Sequence, residues 1–281
     1  MFTLGSKTLD ATMLRERLQD SLEPLLSRNP ARISMAVRTL DGESLFDWQA
    51  QRVMPSASLI KVPMLLCLLD EVAQGRLALE DSCALPASGR AGGTGILSQL
   101  PSVQAMTLRE LAHLMIVLSD NVATNALIDL LGMERINQWC RQAGLLHTDL
   151  QRHMMDVQAR AQGKDNWTSA ADACATLVYL LHSPTLPEAL RQEGVQMLAD
   201  QRERAHFAAK MPPEAELAHK TGSLPGLRHD AGILTVDGRS VVLAVLADGF
   251  TDDRTRSTLY GGEGAVALAG LAACVAQVLQ A

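Results

Sequence analysis

The chain reads as an α+β protein in which both ends of the sequence build one antiparallel sheet and the middle forms a helical lobe beside it. Three observations predict this. Strand-like segments joined by tight-turn residues occur near each end, a helix-like segment lies outside each of these pairs, and the long middle stretch shows helical periodicity without alternation. With 281 residues, 47% of them hydrophobic and 20% charged, the chain is long enough to bury a substantial core and has no low-complexity segment.

From Leu9 to Leu26, charged residues are interleaved with Leu14, Leu18, Leu22, Leu25 and Leu26, the threes-and-fours spacing of an amphipathic helix. Ile33 to Leu40 then alternates, Asp41-Gly42 supplies turn chemistry, and Ser44 to Trp48 returns antiparallel. From Ser56 to about Asp200 the sequence predicts helices only, with starts such as Thr107-Leu108-Arg109-Glu110, a capping box before Leu111, Met115 and Leu118. Arg202 to Glu216, with Pro212-Pro213, reads as an exposed connector. Strand character returns at Leu217 to Lys220 and Ala231 to Val236, and Asp237-Gly238 turns the chain into Ser240 to Ala247, which completes five strands. Gly264 to Ala281 carries no charge, but it is rich in Ala and holds Gln277 and Gln280, so it reads as a helix packed on the sheet and no membrane span is expected. The expected division is an α/β lobe of about 1–55 and 202–281 and a helical lobe of about 56–201.

Composition narrows the function. The 25 Lys and Arg against 31 Asp and Glu give a formal net charge of −6 with no basic run, which argues against nucleic acid as a partner. An aromatic content of 3% leaves little for stacking platforms. Cys67, Cys83, Cys140, Cys174 and Cys274 are odd in number and widely spaced, the pattern of reduced thiols rather than of a disulfide framework or a zinc site. The seven histidines lack metal-ligand spacing, so neither metal nor cofactor is expected. The start, Met1-Phe2-Thr3-Leu4-Gly5-Ser6-Lys7, has no basic region followed by an apolar run. A complete chain is therefore expected in the cytoplasm, and one whose leader was trimmed in the periplasm or outside the cell.

Three short motifs carry chemistry. Ser58-Leu59-Ile60-Lys61 opens an apolar run, Val62 to Leu69, that should be a buried helix. Residues three apart share a helix face, so Lys61 can approach Ser58, and a desolvated lysine can serve as the base that activates a serine. The same tetrapeptide also fits a capping serine and a snorkelling lysine. Ser119-Asp120-Asn121 lies between two helical runs, where small polar residues form caps and turns and, beside a nucleophile, can relay protons. Lys220-Thr221-Gly222 ends a strand segment and is followed by Ser223, at a sheet edge where a glycine permits close approach. His219 and His229 flank this strand and its turn, and either could line a cleft or be an ordinary polar residue.

In this order and at these separations the motifs resemble those of the penicillin-recognising serine hydrolases, specifically the class A β-lactamase branch with its S-x-x-K, S-D-N and K-T-G set. The likeness runs from roughly Ile33 to the C-terminus and includes the stretch Met106 to Gly132. It implies the β-lactamase/transpeptidase-like fold, a five-stranded antiparallel sheet with terminal helices plus an all-helical lobe. It further implies Ser58 as nucleophile, Lys61 as its proton acceptor, Ser119 as the relay to the leaving nitrogen and Asn121 as a substrate contact. Lys220 with Thr221 would anchor a carboxylate, and the amides of Ser58 and Ser223, beside Gly222, would form an oxyanion hole.

One departure is informative. The family's loop after the S-D-N helices reads roughly R-x-E-x-x-L-N, and its glutamate activates the deacylating water. Here the stretch is Leu150-Gln151-Arg152-His153-Met154-Met155-Asp156, with Met154 where the glutamate is expected. A thioether accepts no proton, so deacylation should be slow unless His153 or Asp156 substitutes. The leading expectation is a serine hydrolase of β-lactams or related small amides and esters. The alternatives are a peptidase or esterase for which β-lactams are only inhibitors, and a non-catalytic ligand-binding relative. The oligomeric state is not legible in the sequence.

Overall fold

The computed structural model describes residues 2–5, 7, 10–28, 32–250 and 262–281. In chain order the helices and strands are α1 (Ala11–Leu26), β1 (Ile33–Arg38), β2 (Ser44–Trp48), β3 (Met54–Pro55), α2 (Lys61–Ala73), β4 (Ser82–Ala84), β5 (Ala105–Thr107), α3 (Leu108–Val117), α4 (Asn121–Leu131), α5 (Met133–Gln142), α6 (Val157–Ala161), β6 (Trp167–Thr168), α7 (Ala170–His182), α8 (Glu188–Ala199), β7 (Glu216–Leu224), β8 (Leu227–Val236), β9 (Arg239–Ala247) and α9 (Glu263–Gln280). Short 3-10 turns precede α2 (Ala57–Ile60) and β7 (Phe207–Lys210).

Both ends of the chain share one antiparallel sheet, in the order β2-β1-β9-β8-β7. The closing register pairs Ile33 with Ala247 and Arg38 with Val242, so the N-terminal hairpin docks on the last strand. Alternation then sorts the side chains onto two faces. Met35, Val37, Leu243, Val245 and Ala247 pack with α1 and α9, whereas Ala36, Ala218, Ala231, Ala244 and Leu246 join the core of the central helices. Asp10 starts α1 by accepting from the amides of Thr12 and Met13, and one-turn spacing buries Leu14, Leu18, Leu22 and Leu26; the expected start at Leu9 lies outside the described residues. The apolar last helix lies on the sheet through Leu268, Ala272, Val275 and Ala276, consistent with its reading as a core element.

Three boundaries differ from expectation. The middle of the chain is not purely helical: β3 pairs with β6, and β4 with β5, as two-stranded ribbons of two or three residues. Alternation needs more residues than that to be visible in a sequence. β7 continues to Leu224 and β8 begins at Leu227, so Lys220-Thr221-Gly222 lies within an edge strand rather than at its end. The stretch expected to be an exposed connector contains His206 and Phe207, both fully buried, because Phe207 plugs the cluster under α9.

Candidate active site

Two chain turns and an edge strand converge on Ser58. The 3-10 turn Ala57–Ile60 holds it immediately ahead of α2, and Ala57 adopts φ 45°, a left-handed conformation costly for a residue with a side chain. The turn is held from behind, where the Ser56 amide donates to the Asn166 carbonyl at 2.7 Å. Helix α2 has no acidic residue in its first turn to pair with Lys61 and is buried from Lys61 to Glu71. Lys61 is therefore driven inwards by the apolar run it begins, and its ammonium position is 0% exposed.

Ser119 approaches from the junction of α3 and α4 with φ 54°, a second strained residue at the same centre. The strain is over-determined by neighbours, since the Ser119 carbonyl accepts from Lys61 Nζ at 2.7 Å and from Thr94 Oγ1 at 2.6 Å. Asp120 caps α4 with one oxygen, accepting from the amides of Val122 and Ala123. With the other it accepts from the amides of Ile96 and Leu97, so one buried carboxylate ties the loop over the cleft to the helix start.

The polar atoms form one chain. Ser119 Oγ donates to Ser58 Oγ at 2.9 Å and accepts from Lys61 Nζ at 3.0 Å and Lys220 Nζ at 3.2 Å. Lys61 Nζ also donates to Asn121 Oδ1 at 3.0 Å, and Asn121 Nδ2 donates to the Gly92 carbonyl at 2.9 Å. Among the described residues no hydrogen bond joins Lys61 Nζ to Ser58 Oγ directly, so the route between the two side chains runs through Ser119. Lys220, fully buried, completes its contacts at the Thr221 carbonyl at 2.9 Å. Gly222 brings β7 against Ser58: a Cβ there would stand 3.3 Å from the Ser58 amide nitrogen and 3.2 Å from Ala57 Cβ. Ser223 follows on the same strand.

Two buried ammonium groups sharing one hydroxyl cannot both hold their protons easily. Burial, and next the positive charge of Lys220, hold Lys61 well below the usual lysine range, against the opposing pull of Asp120. Burial lowers Lys220 to about 7, with Asp230 and then Glu203 acting in the opposite direction. A neutral Lys61 can accept the proton that Ser119 passes on when Ser58 loses its own.

The loop between Leu150 and Trp167 is closed at its base. Arg152 donates to Asp165 Oδ1 at 2.9 and 2.7 Å, and Asn166 Oδ1 accepts from the amides of Gln151 and Arg152. Asn125 pins Met154 by its main chain, accepting from its amide at 2.8 Å and donating to its carbonyl at 3.2 Å. The Met154 side chain is buried in the helical core. His153 pairs with Asp129 at 2.7 Å, and Asp156 caps α6 by accepting from the Ala159 amide at 2.8 Å. Among the described residues neither shares a hydrogen bond with the serine and lysine chain, which brings together Ser58, Lys61, Ser119, Asn121 and Lys220. His219 and His229 do not line the cleft: His219 is 1% exposed and paired with Asp230, and His229, fully buried, lies 2.9 Å from the Pro55 carbonyl through Nε2.

Residues 14–269 match the family Beta-lactamase2, described as the beta-lactamase enzyme family. The chain belongs to that family. It is 33% identical over 150 residues to a curated beta-lactamase of Bacillus licheniformis, a match spanning 50% of this chain and 48% of that protein, about half the length of the relative. A mutant of PBP-A, solved as an acyl-enzyme complex with penicillin G, is 26% identical over 96% of this chain and 97% of that one, with TM-score 0.80. A beta-lactamase of Sphaerobacter thermophilus superposes over 97% of this chain and 98% of that one at 24% identity and TM-score 0.77, which speaks to the fold.

Within this beta-lactamase-family fold, several residues that shape the site were silent in the sequence. Thr94 and Asn125 are single polar residues far from the motifs they hold. Gly93 has φ +85°, and a Cβ there would meet Asn121 Nδ2 at 2.8 Å and Met155 Sδ at 3.0 Å. The signal for this close approach was the glycine-rich stretch Gly92-Gly93-Thr94-Gly95, which reads only as a loop until its neighbours are known.

Proposed function

We propose that this protein is a serine hydrolase that opens β-lactams, or related small amides and esters, through an acyl-enzyme on Ser58. The observation that carries the reading is the continuous hydrogen-bond chain from Ser58 Oγ through Ser119 Oγ to two buried lysines. In the acylation step Ser58 Oγ attacks the carbonyl carbon while its proton moves through Ser119 to neutral Lys61. The tetrahedral oxyanion lies against the amides of Ser58 and Ser223, and collapse breaks the C–N bond as the proton returns through Ser119 to the leaving nitrogen. Lys220 with Thr221 offers positive charge and a hydroxyl for a substrate carboxylate, and Gly222 lets the substrate lie along the edge strand. Asn121, whose amide is engaged by Lys61 and Gly92, contacts substrate after exchanging its bond to the loop.

Hydrolysis of the adduct is slow in this reading. Met154 offers no base, His153 is paired with Asp129 of α4, and Asp156 is engaged in capping α6. That observation favours, as a second reading, a peptidase or esterase that penicillins merely inhibit. Intact-mass spectrometry after incubation with penicillin G tests both readings. A single adduct that is absent in Ser58→Ala supports the nucleophile, and its lifetime separates turnover from trapping. Equal labelling of wild type and a folded Ser58→Ala variant overturns the assignment.

A further inference from the structure

Behind the edge strand lies a second set of polar groups that the acylation chemistry does not use. The β7–β8 register pairs Thr221 with Asp230, Ser223 with Arg228 and His219 with Gly232. Asp230 therefore shares a sheet face with His219 and Thr221, while Lys220, one residue along, takes the opposite face towards the helical core. Asp230 is fully buried. Its carboxylate is clamped by His219 Nδ1, 2.8 and 3.0 Å from its two oxygens, and by the Phe207 amide at 3.1 Å.

A buried carboxylate is expensive to retain unless it is paired and hydrogen-bonded, as this one is. Several charged or titratable groups surround Asp230 and Lys220. Arg228 and His229 lie on β8, His219 on β7 and His206 ahead of the 3-10 turn; Glu203 lies in the segment after α8, and Lys61 and Asp120 lie on the helical side. Of the two acids that favour the charged form of Lys220, Asp230 is the stronger and Glu203 the weaker. The cross-strand partner of Lys220 is Ala231, the residue next to Asp230. We propose that Asp230 is a positioning residue: held by His219 and the Phe207 amide, it supplies from behind the edge strand the negative charge that keeps Lys220 cationic and so lets the cleft hold an anionic substrate. This rests on the reading that Lys220 anchors a carboxylate.

The test compares acylation of the wild type, Asp230→Asn and Asp230→Glu by penicillin G, which carries a carboxylate, and by its neutral methyl ester, across pH 5.5 to about 9. The Lys220 charge favours the anionic substrate below its midpoint near 7. Loss of a nearby opposite charge moves such a midpoint down by about one pH unit or more. At pH 7 the cationic fraction then falls from about one half to about one tenth, so acylation by penicillin G drops about fivefold through KM, while the ester changes by less than about twofold. Asp230→Glu restores most of the loss. In a Lys220→Arg background, Asp230→Asn has no further effect, because arginine keeps its charge unaided. Equal losses on both substrates without a pH shift, or no loss at all, overturn the proposal.

Two measurements keep the test independent of folding and of the functional reading. His219→Gln loosens the clamp without removing the acid and should shift the profile in the same direction by a smaller amount, and an unchanged profile counts against the proposal. If penicillin fails to acylate the wild type, the functional reading fails, and NMR titration of the Lys220 ε-carbon in wild type and Asp230→Asn still decides the electrostatic claim. Identical titration midpoints refute it.

Discussion

Replacing Met154 with glutamate tests the link between one side chain and the fate of the acyl-enzyme. The main chain of residue 154 is fixed at both its amide and its carbonyl by Asn125, so the substitution changes the side chain on a held backbone. The thioether it replaces is 8% exposed and packs in the helical core. A carboxylate there is poorly solvated, which raises its proton affinity and costs about 1–3 kcal/mol of stability, a fall of roughly 2–10 °C in Tm. The same desolvation brings the new base towards the working pH, and a positioned general base contributes about 10²- to 10⁴-fold. The expected outcome is a penicillin adduct on Ser58 that decays at least about 100-fold faster in Met154→Glu than in the wild type, followed by intact-mass time courses, with acylation changed little. If the wild-type adduct is already released within seconds, or a folded Met154→Glu variant releases it no faster, then the slow-deacylation argument is wrong. Asp156→Asn and then His153→Ala would next identify the base.

Other outcomes follow from the same geometry. Lys61→Ala should slow acylation by about 10²-fold or more at pH 7 while Ser58 remains labelled on long incubation, as stopped-flow or mass kinetics will show. Gly222→Ala places a Cβ 3.2–3.3 Å from Ala57, Ser56 and Ser58, so β7 must retreat by a few tenths of an ångström. Acylation should fall by about tenfold or more with Tm nearly unchanged, and full activity would show that the strand is not a close wall of the cleft. Burial holds His206 and His229 at about 4 instead of 6.5, so between those values the unfolded chain takes up protons that the folded chain refuses. Stability is therefore full above about pH 6.5 and is lost as pH falls towards 4, by about 3 kcal/mol for each imidazole. Both ring nitrogens of His206 lack a hydrogen-bond partner among the described residues, so His206→Phe should leave stability at pH 7 unchanged or higher and flatten the acid limb of a urea-midpoint profile. An unchanged acid limb would remove His206 from the account.

Local rules made much of the fold legible in the sequence. Helix α1 follows from four leucines at one-turn spacing, the β1–β2 and β8–β9 hairpins from alternation around Asp41-Gly42 and Asp237-Gly238, and α3 from the capping box at Thr107 and Glu110. The order of the motifs pointed to Ser58, Lys61, Ser119 and Lys220 because their spacing survives in the chain. Tertiary structure decided what depends on residues far apart in sequence. The left-handed conformation of Ser119 is held by Lys61 and Thr94, 58 and 25 residues away, and no local propensity would choose it. Whether Lys61 meets Ser58 directly or through Ser119 is set by the approach of two separate turns. The burial of His206 and Phe207, in a segment whose prolines suggest an exposed linker, depends on α9 covering them from the other end of the chain. The charge of Lys220 depends likewise on which acids the fold stacks behind its strand, because a pKa is fixed by solvent exclusion and nearby charge, and neither exists until the chain has closed.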